Sequence, residues 1–141
     1  MNNKGDSNPI GKEINIMEMK FYRCKHCGKI IAIVDGCSTC PTICCGEAME
    51  EMVPNTQDGA VEKHIPVYEV KDNIVEVKVG SVPHPMVEAH WIKWVVLITN
   101  KGNQRKILNP GDAPEARFAL LPDEKVISVL EFCNLHGLYK A

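Results

Sequence analysis

Hydrophobic and polar residues alternate in the second half of the chain, in runs that have the length of β-strands. Between positions 75 and 79, valines alternate with charged residues, which is the period of a strand with one buried face. Two longer runs, 91–99 and 125–132, are rich in β-branched and aromatic residues. No sustained helical period occurs along the sequence. The pattern therefore predicts an all-β fold.

Turn-forming residues separate these runs. Clusters that combine Asn with Asp, Gly or Pro occupy positions 72–73, 101–103 and 109–112. Short strands joined by turns at this spacing are typical of an antiparallel β-sandwich.

The amino-acid composition of the chain changes twice before this region. Residues 1–19 are polar and predict a disordered N-terminal extension. Residues 20–55 contain a cluster of cysteines and end in a plausible linker at Val53-Pro54-Asn55. We therefore predict a small domain over 20–55, followed by the β-sandwich over 56–141.

Composition and charge exclude some partners. The 141 residues carry a formal net charge of −2, which gives no indication of a nucleic-acid or membrane partner. The longest apolar stretch in the second half, 94–98, is far too short to cross a bilayer. Residues 1–20 lack the apolar core of a signal peptide, so the expected compartment is the cytoplasm, where thiols stay reduced.

Seven cysteines are the first indication of chemistry. An odd number in a reducing compartment argues for metal or redox chemistry and against a disulfide framework. Cys133 lies alone near the C-terminus. The other six fall within 22 residues: Cys24, Cys27, Cys37, Cys40, Cys44 and Cys45.

The first cysteine pair has the form of a metal-binding knuckle. Cys24 and Cys27 are spaced to bind one ion, and Gly28 permits the tight turn behind them. The adjacent pair Cys44-Cys45 offers two further thiolates for a tetrahedral site. A domain of about 35 residues buries too little apolar surface to fold unaided, and a bound metal would supply the missing stability.

Spacing alone leaves three features of this site open. Four thiolates suit either zinc or iron. Cys37 and Cys40 form a second C-x-x-C that offers an alternative ribbon-like site with the first pair. His26 lies inside the first knuckle and is an alternative ligand, although a lone histidine there is more often a bystander.

Four histidines of the second domain form a second set of candidate ligands. Prolines on both sides of His84 restrict its backbone, and Cys133 and His136 have the C-x-x-H spacing of a chelating pair. Because β topology cannot be read from one sequence, spacing alone does not establish that these side chains meet at one site. The set comprises His64, His84, His90 and His136, with Cys133 as its thiolate.

Several motifs in a fixed order resemble the desulfoferrodoxin family, the two-iron form of superoxide reductase, over residues 20–141. They are Phe21-Tyr22-Arg23-Cys24-x-x-Cys27-Gly28, Cys44-Cys45-Gly46, Glu62-Lys63-His64-Ile65-Pro66-Val67, Gly80-Ser81-Val82-Pro83-His84-Pro85-Met86, His90-Trp91-Ile92, Pro110-Gly111-Asp112-Ala113-Pro114-Glu115-Ala116 and Cys133-Asn134-Leu135-His136-Gly137.

The resemblance implies a fold, two iron centres and an activity. The fold is a small desulforedoxin-like domain followed by an immunoglobulin-like β-sandwich, assembled as a homodimer. The activity is the one-electron reduction of superoxide to hydrogen peroxide at the second iron, which rubredoxin or a similar one-electron carrier re-reduces. The resemblance assigns Cys24, Cys27, Cys44 and Cys45 to the first iron, and His64, His84, His90 and His136, with Cys133 axial, to the second.

Two charged residues precede the first histidine of the set. Lys63 is cationic at neutral pH and is expected to attract the superoxide anion and to stabilise the developing peroxide. The resemblance gives Glu62 a different role, in which its carboxylate caps the vacant position of the oxidised iron. Without the resemblance, the two residues read as an ordinary solvated charge pair.

The sequence departs from the family at Cys37 and Cys40, where the family has a glycine-rich loop without cysteines. This departure puts the ligands of the first iron in doubt and raises the prospect of a redox-active disulfide. Two other functions compete with the enzyme: a zinc-stabilised binding module and an iron electron carrier. The histidine set argues against both, because neither needs an open, nitrogen-rich metal site.

Overall fold

The computed structural model of the protein describes residues 19–36, 40–57 and 59–141. Almost all of the predicted N-terminal extension, and Cys37, lie outside the described residues. The strands are β1 (Phe21–Arg23), β2 (Ile30–Ala32), β3 (Ile43–Cys44), β4 (Glu47–Ala48), β5 (Glu50–Glu51), β6 (Pro66–Lys71), β7 (Ile74–Val79), β8 (Ile92–Thr99), β9 (Gly102–Ile107), β10 (Glu115–Ala119), β11 (Val126–Cys133) and β12 (Gly137–Lys140). One helical turn, α1 (Val61–His64), precedes β6.

The described strands pair in antiparallel fashion. The first part of the chain contains a small sheet of order β2-β1-β5 and the hairpin β3-β4. The second part contains a three-stranded sheet of order β10-β7-β6 and a four-stranded sheet of order β12-β11-β8-β9. The predicted all-β fold is confirmed; the predicted domain boundaries stay a prediction.

The two larger sheets pack face to face around an apolar core. The valines that alternate in β7 contribute Val75, Val77 and Val79, all at most 1% exposed. Leu97 of β8 and Val129 of β11 meet them from the opposite sheet. The alternation in the sequence therefore marks the inner face of the sandwich.

The four-stranded sheet also buries its outer face. Phe21 of β1 stacks on Trp94 of β8, with ring centroids 5.2 Å apart, and Trp94 stacks on Phe132 of β11 at 5.3 Å. Ile98 and Leu130 belong to the same apolar cluster. The small cysteine-containing part of the chain thus covers the back of the strand that ends at Cys133.

Local backbone features set the register near the candidate ligands. Phe132 lies opposite Trp94, but Cys133 lies opposite Ile92, so β8 contains one extra residue, Lys93, at this point. This bulge keeps both Ile92 and Cys133 in the inner core. The thiol of Cys133 is therefore directed into the sandwich, next to the loops that carry the histidines.

Candidate metal centres

The first cluster lies at the end of two tight turns. Cys24 follows β1, Cys27 closes the turn after it, Cys44 ends β3, and Cys45 lies in the turn that follows. The backbone N–H of Gly28 donates to the Cys24 carbonyl at 2.9 Å, with Gly28 in the left-handed region at φ +77°. The sulfur atoms of all four cysteines lie within 4.8 Å of one another.

The distances in this cluster suit one tetrahedral metal ion. At a metal–sulfur distance of about 2.3 Å, sulfurs in a tetrahedron are about 3.8 Å apart. The Sγ atoms of Cys27 and Cys44 are 3.7 Å apart. Cys24 is buried, whereas Cys27 and Cys45 are exposed, so the cluster opens to solvent on one side only.

The thiols of this cluster have unequal proton affinities. The backbone N–H of Cys27 donates to the Cys24 sulfur at 3.5 Å and is the main reason why the pKa of Cys24 is lowered to about 6. The nearby side chain of Cys24 is the main reason why the pKa of Cys45 is raised to about 12. Thiols crowded in this way ionise together only when a nearby cation neutralises the resulting thiolates. A bound metal ion is such a cation.

Two alternative ligands of this centre lie outside the sulfur cluster. Nε2 of His26 is 3.1 Å from a carboxylate oxygen of Glu47, and both side chains are exposed. Cys40 is exposed and does not belong to the cluster, and its C-x-x-C partner, Cys37, lies outside the described residues. Among the described residues, the Cys44-Cys45 pair therefore completes the four-sulfur set.

The second cluster is assembled from five separate positions at one end of the sandwich. His64 ends α1, His84 lies in the loop after β7, and His90 lies just before β8. Cys133 ends β11, and His136 lies in the turn that leads to β12. The ligand atoms of the first three histidines and of Cys133 lie within 4.8 Å of one another, and Nδ1 of His136 is 3.1 Å from Nε2 of His64.

Backbone carbonyls fix the tautomers of two of these rings. Nδ1 of His64 is 2.8 Å from the Ala60 carbonyl oxygen, and Nδ1 of His84 is 2.6 Å from that of Pro85. Since a carbonyl oxygen only accepts, both Nδ1 atoms carry the proton and donate. Both Nε2 atoms therefore present lone pairs to each other, 3.1 Å apart. Two acceptors at this distance repel unless a cation lies between them.

A metal ion with six ligands fits this arrangement. At a metal–nitrogen distance of about 2.1 Å, neighbouring ligands at a right angle are about 3 Å apart, close to the 3.1 Å between Nε2 of His64 and Nε2 of His84. Nε2 of His90 is buried and has no hydrogen-bond partner among the described residues. A ligand bond to a metal would satisfy this nitrogen. The residues present therefore fit the second iron.

Burial keeps three imidazoles of this cluster neutral, as metal binding requires. Desolvation lowers the pKa of His64 and of His90, and lowers that of His84 to about 4. Desolvation also raises the pKa of the Cys133 thiol. This thiol needs a cation nearby to ionise at neutral pH.

These shifts predict how the metal-free protein responds to acid. In the unfolded chain, His84 has an ordinary pKa of about 6.5, so it takes up a proton before the folded state does as the pH falls. Its contribution to stability is therefore present above about pH 6.5 and is lost towards pH 4, at a cost of at most about 3 kcal/mol. Urea unfolding of the chelator-treated protein at pH 7 and pH 4.5 measures this loss.

A His84→Gln variant should lose less stability between the two pH values, while the exposed-site variant His26→Asn should behave like the wild type. Equal stability at both pH values would contradict the prediction.

Comparisons with known proteins identify the family. The family model for desulfoferrodoxin matches residues 56–141. The chain is 46% identical over 124 residues to a desulfoferrodoxin from Nitratidesulfovibrio vulgaris strain Hildenborough, covering 88% of this chain and 96% of that protein. The chain belongs to the desulfoferrodoxin family. A desulfoferrodoxin homologue from Archaeoglobus fulgidus is 42% identical and covers 87% of this chain and 96% of its own length.

The fold of this desulfoferrodoxin-family chain is also similar to a solved structure. The crystal structure of the superoxide reductase from Treponema pallidum matches it with a TM-score of 0.77 at 42% identity, covering 88% of this chain and 98% of that one. The four-cysteine cluster and the cluster of four histidines and one cysteine correspond to the two iron centres that the family resemblance predicted. The metal-binding role of each individual residue stays a prediction.

The two charged residues predicted for catalysis lie beside the second cluster. Glu62 and Lys63 are exposed in α1, directly before His64. The charge of Lys63 contributes to the lowered pKa of both His64 and His90, so the ammonium group lies within electrostatic reach of the cluster. The backbone carbonyl of Glu62 accepts a hydrogen bond from the Val82 N–H at 2.9 Å, which ties α1 to the loop of His84.

Sequence reasoning assigned no role to several residues around this site. A side-chain carbon on Gly80 would lie 2.6 Å from the Glu62 carbonyl oxygen, so a glycine is needed where the two loops meet. Glu131 is fully buried, and burial raises its pKa to about 9, so this acid is neutral at pH 7. Tyr139 packs against His64 with ring centroids 4.6 Å apart. Only the glycine has a sequence signal, since it stands at a loop between a strand and a proline-flanked histidine.

Within the parts of the chain that the structure describes, no helix has the length and apolar character that crossing a membrane demands.

Proposed function

We propose that this chain is a superoxide reductase that converts superoxide to hydrogen peroxide at an iron ion bound by His64, His84, His90, His136 and Cys133. One observation carries the proposal: four imidazoles and one buried thiol converge with their ligand atoms facing one another. A structural zinc site takes four ligands and is closed, whereas five protein ligands leave one position of an octahedral ion for a substrate. The similarity to the Treponema pallidum superoxide reductase supports the same function.

The side chains divide the work between them. When bound, the iron supplies the single electron that superoxide accepts. The neutral imidazoles of His64, His84 and His90 add no charge to the centre, and Cys133 adds one negative charge from the buried side. Lys63 is exposed and within electrostatic reach of His64 and His90, so its positive charge would attract an anion that approaches from solvent. Solvent would supply the two protons of hydrogen peroxide.

The first centre is proposed to hold an iron ion in the four thiolates of Cys24, Cys27, Cys44 and Cys45. The 3.7 Å separation of two of its sulfurs supports one tetrahedral ion. The division of the chain at residues 55 and 56 is proposed with it, since β5 ends at Glu51 and the sandwich strands begin at Pro66.

Donor, assembly and compartment are further proposals. The family resemblance supports rubredoxin, or a similar one-electron carrier, as the electron donor. It also supports a homodimer, and β6 is an edge strand with Val67 and Val70 about half exposed, as a subunit contact would require. A cytoplasmic location is proposed with them, because thiolate ligands of a metal require thiols that stay reduced, as they do in that compartment.

Metal analysis combined with visible spectra tests the proposed function against its two rivals. We expect two irons per chain with distinct absorption, and superoxide should oxidise only the iron of the histidine cluster in the reduced protein. A zinc-stabilised module would contain zinc and lack visible absorption. An electron carrier would contain iron but would leave the spontaneous decay of superoxide unchanged.

Lys63→Ala is expected to slow the reaction of the reduced protein with superoxide about tenfold, or about 1.4 kcal/mol, because the variant lacks the charge that attracts the anion. The wild-type rate should fall as the salt concentration rises, and the variant should depend on salt less steeply. Pulse radiolysis across a salt series measures both effects. Lys71→Ala, on exposed β6, is the matched control and should behave like the wild type.

Glu62→Ala serves as a second comparison within the same helical turn. It should react with superoxide at the wild-type rate, but it should change the spectrum of the oxidised resting protein. Equal rates and equal salt slopes for the wild type and Lys63→Ala would contradict the proposal and would show that Lys63 is an ordinary solvated surface residue.

A further inference from the structure

Tyr139 contacts the second centre from a strand that contributes no ligand. It lies on β12, opposite Glu131 in the register, and is only 2% exposed. Its ring packs against the ring of His64, with the centroids 4.6 Å apart and the planes inclined by 32°. The ring therefore limits how far the imidazole of His64 can tilt or rotate.

The hydroxyl group of the same side chain holds the chain that leads into His64. It donates a hydrogen bond to the Gln57 carbonyl oxygen at 3.1 Å. Three residues later, the Ala60 carbonyl oxygen accepts the hydrogen bond from Nδ1 of His64 at 2.8 Å. One tyrosine thus contacts the ligand ring directly and anchors the segment that carries the acceptor of that ring.

The space around these groups is filled. A side-chain carbon on Gly59 would overlap the hydroxyl oxygen of Tyr139 and would lie 3.0 Å from Cε1 and 3.1 Å from Nδ1 of His64. The backbone at Gly59, the phenol and the imidazole are therefore in mutual contact, and a larger residue at position 59 would push two of them apart.

We propose that Tyr139 is a positioning residue, which holds His64 in the Nδ1–H tautomer with Nε2 free for the metal. The Ala60 carbonyl selects this tautomer only while it stays within hydrogen-bond distance of the ring. Without the phenol hydroxyl, which lies against Gly59, the backbone of Gly59 and Ala60 is less restrained, and the Nε2–H tautomer, which cannot bind the metal through Nε2, becomes populated.

This inference rests on the proposed function only in taking the histidine cluster as a metal site. Its test therefore uses no superoxide. The first readout is the tautomer of His64 in the metal-free protein, measured by long-range ¹⁵N–¹H correlation spectra of the histidine rings. The second is the affinity for Co²⁺, followed through the hyperfine-shifted imidazole resonances, which report on the histidine cluster and not on the four cysteines.

The wild type is expected to give a single Nδ1–H tautomer for His64. Tyr139→Phe, which keeps the ring and loses the hydroxyl, should give a mixture of tautomers and bind Co²⁺ about tenfold more weakly. Gly59→Ala perturbs the same contact from the other side and should have the same two effects. Tyr68→Phe, in β6, is the matched control and should leave both readouts unchanged.

A core variant distinguishes a general loss of stability from a specific effect on His64. Ile98→Ala truncates a buried side chain of the outer apolar cluster and should lower the thermal midpoint without changing the tautomer of His64. A single Nδ1–H tautomer and unchanged Co²⁺ affinity in Tyr139→Phe would overturn the inference. The same tautomer mixture in Ile98→Ala would also overturn it, because general loosening would then explain the effect.

Discussion

Cys133→Ser is expected to abolish superoxide reduction and to leave the first iron centre intact. The thiol of Cys133 is fully buried beside the histidine cluster, with Sγ 3.8 Å from Nδ1 of His136. A serine hydroxyl stays protonated under the conditions in which a metal-bound cysteine is a thiolate, so the centre loses its only anionic ligand. We expect a decrease of at least about 10³-fold in the rate, or about 4 kcal/mol.

Pulse radiolysis and the visible spectrum of the Cys133→Ser protein measure the two parts of this prediction. Cys40→Ser changes an exposed cysteine outside both clusters and is the control. The absorption of the four-cysteine iron should persist in both variants. If the absorption of both irons disappears from a folded Cys133→Ser protein, the two centres are not independent and the two-site interpretation is wrong.

Cys24→Ser is expected to have the complementary effect, with the iron content falling from two to one per chain. Cys24 is the buried member of the first cluster, and its lowered pKa makes it the cysteine that ionises most readily there. The rate of superoxide reduction should stay within about twofold of the wild type, because no atom of this cluster belongs to the second centre. Stability should fall, because the sheet that carries Phe21 covers the outer face of the sandwich.

Iron analysis, thermal unfolding and superoxide kinetics on the same Cys24→Ser preparation separate these effects. The double variant Cys37→Ser/Cys40→Ser is the control and should retain both irons, since Cys44 and Cys45 complete the first site. Loss of iron from the double variant would indicate that the second C-x-x-C supplies ligands. Loss of superoxide reduction in Cys24→Ser would indicate that the first centre takes part in the reaction.

Local patterns in the sequence predicted the parts of the fold that depend on local rules. The valines between 75 and 79 lie on the inner face of β7, and the Asp72-Asn73 turn joins β6 to β7 with both residues at positive φ. The knuckle of Cys24 and Cys27 was readable in the same way, because its turn and its ligand spacing lie within a few residues.

The remaining features depend on contacts between distant residues. β8 is buried on both faces because the small cysteine-containing part packs on it through Phe21, and no local alternation predicts that. The bulge at Lys93, which places Cys133 opposite Ile92, exists only as a relation between two strands. The spacing of the histidines made them candidate ligands. Their assignment to one common site came from the order of the motifs, which resembles the family, and not from periodicity.

Two buried residues of β11 and β12 could not be found from the sequence alone. Tyr139 is one of three tyrosines and has no motif around it. Glu131 would be placed on a solvated surface by composition alone, whereas the structure buries it in β11 opposite Tyr139. Both residues lie on strands, and their neighbours can be identified only once the pairing of those strands is known.

The most direct test of the proposed function is the product yield of a single turnover. The fully reduced protein receives, under argon, a known amount of superoxide added as its potassium salt in an aprotic solvent, and hydrogen peroxide and dioxygen are both quantified. A reductase gives one hydrogen peroxide for each superoxide consumed, with no dioxygen released and with one iron oxidised per turnover. Half a hydrogen peroxide and half a dioxygen per superoxide, at the rate of spontaneous decay, would contradict superoxide reduction by this protein.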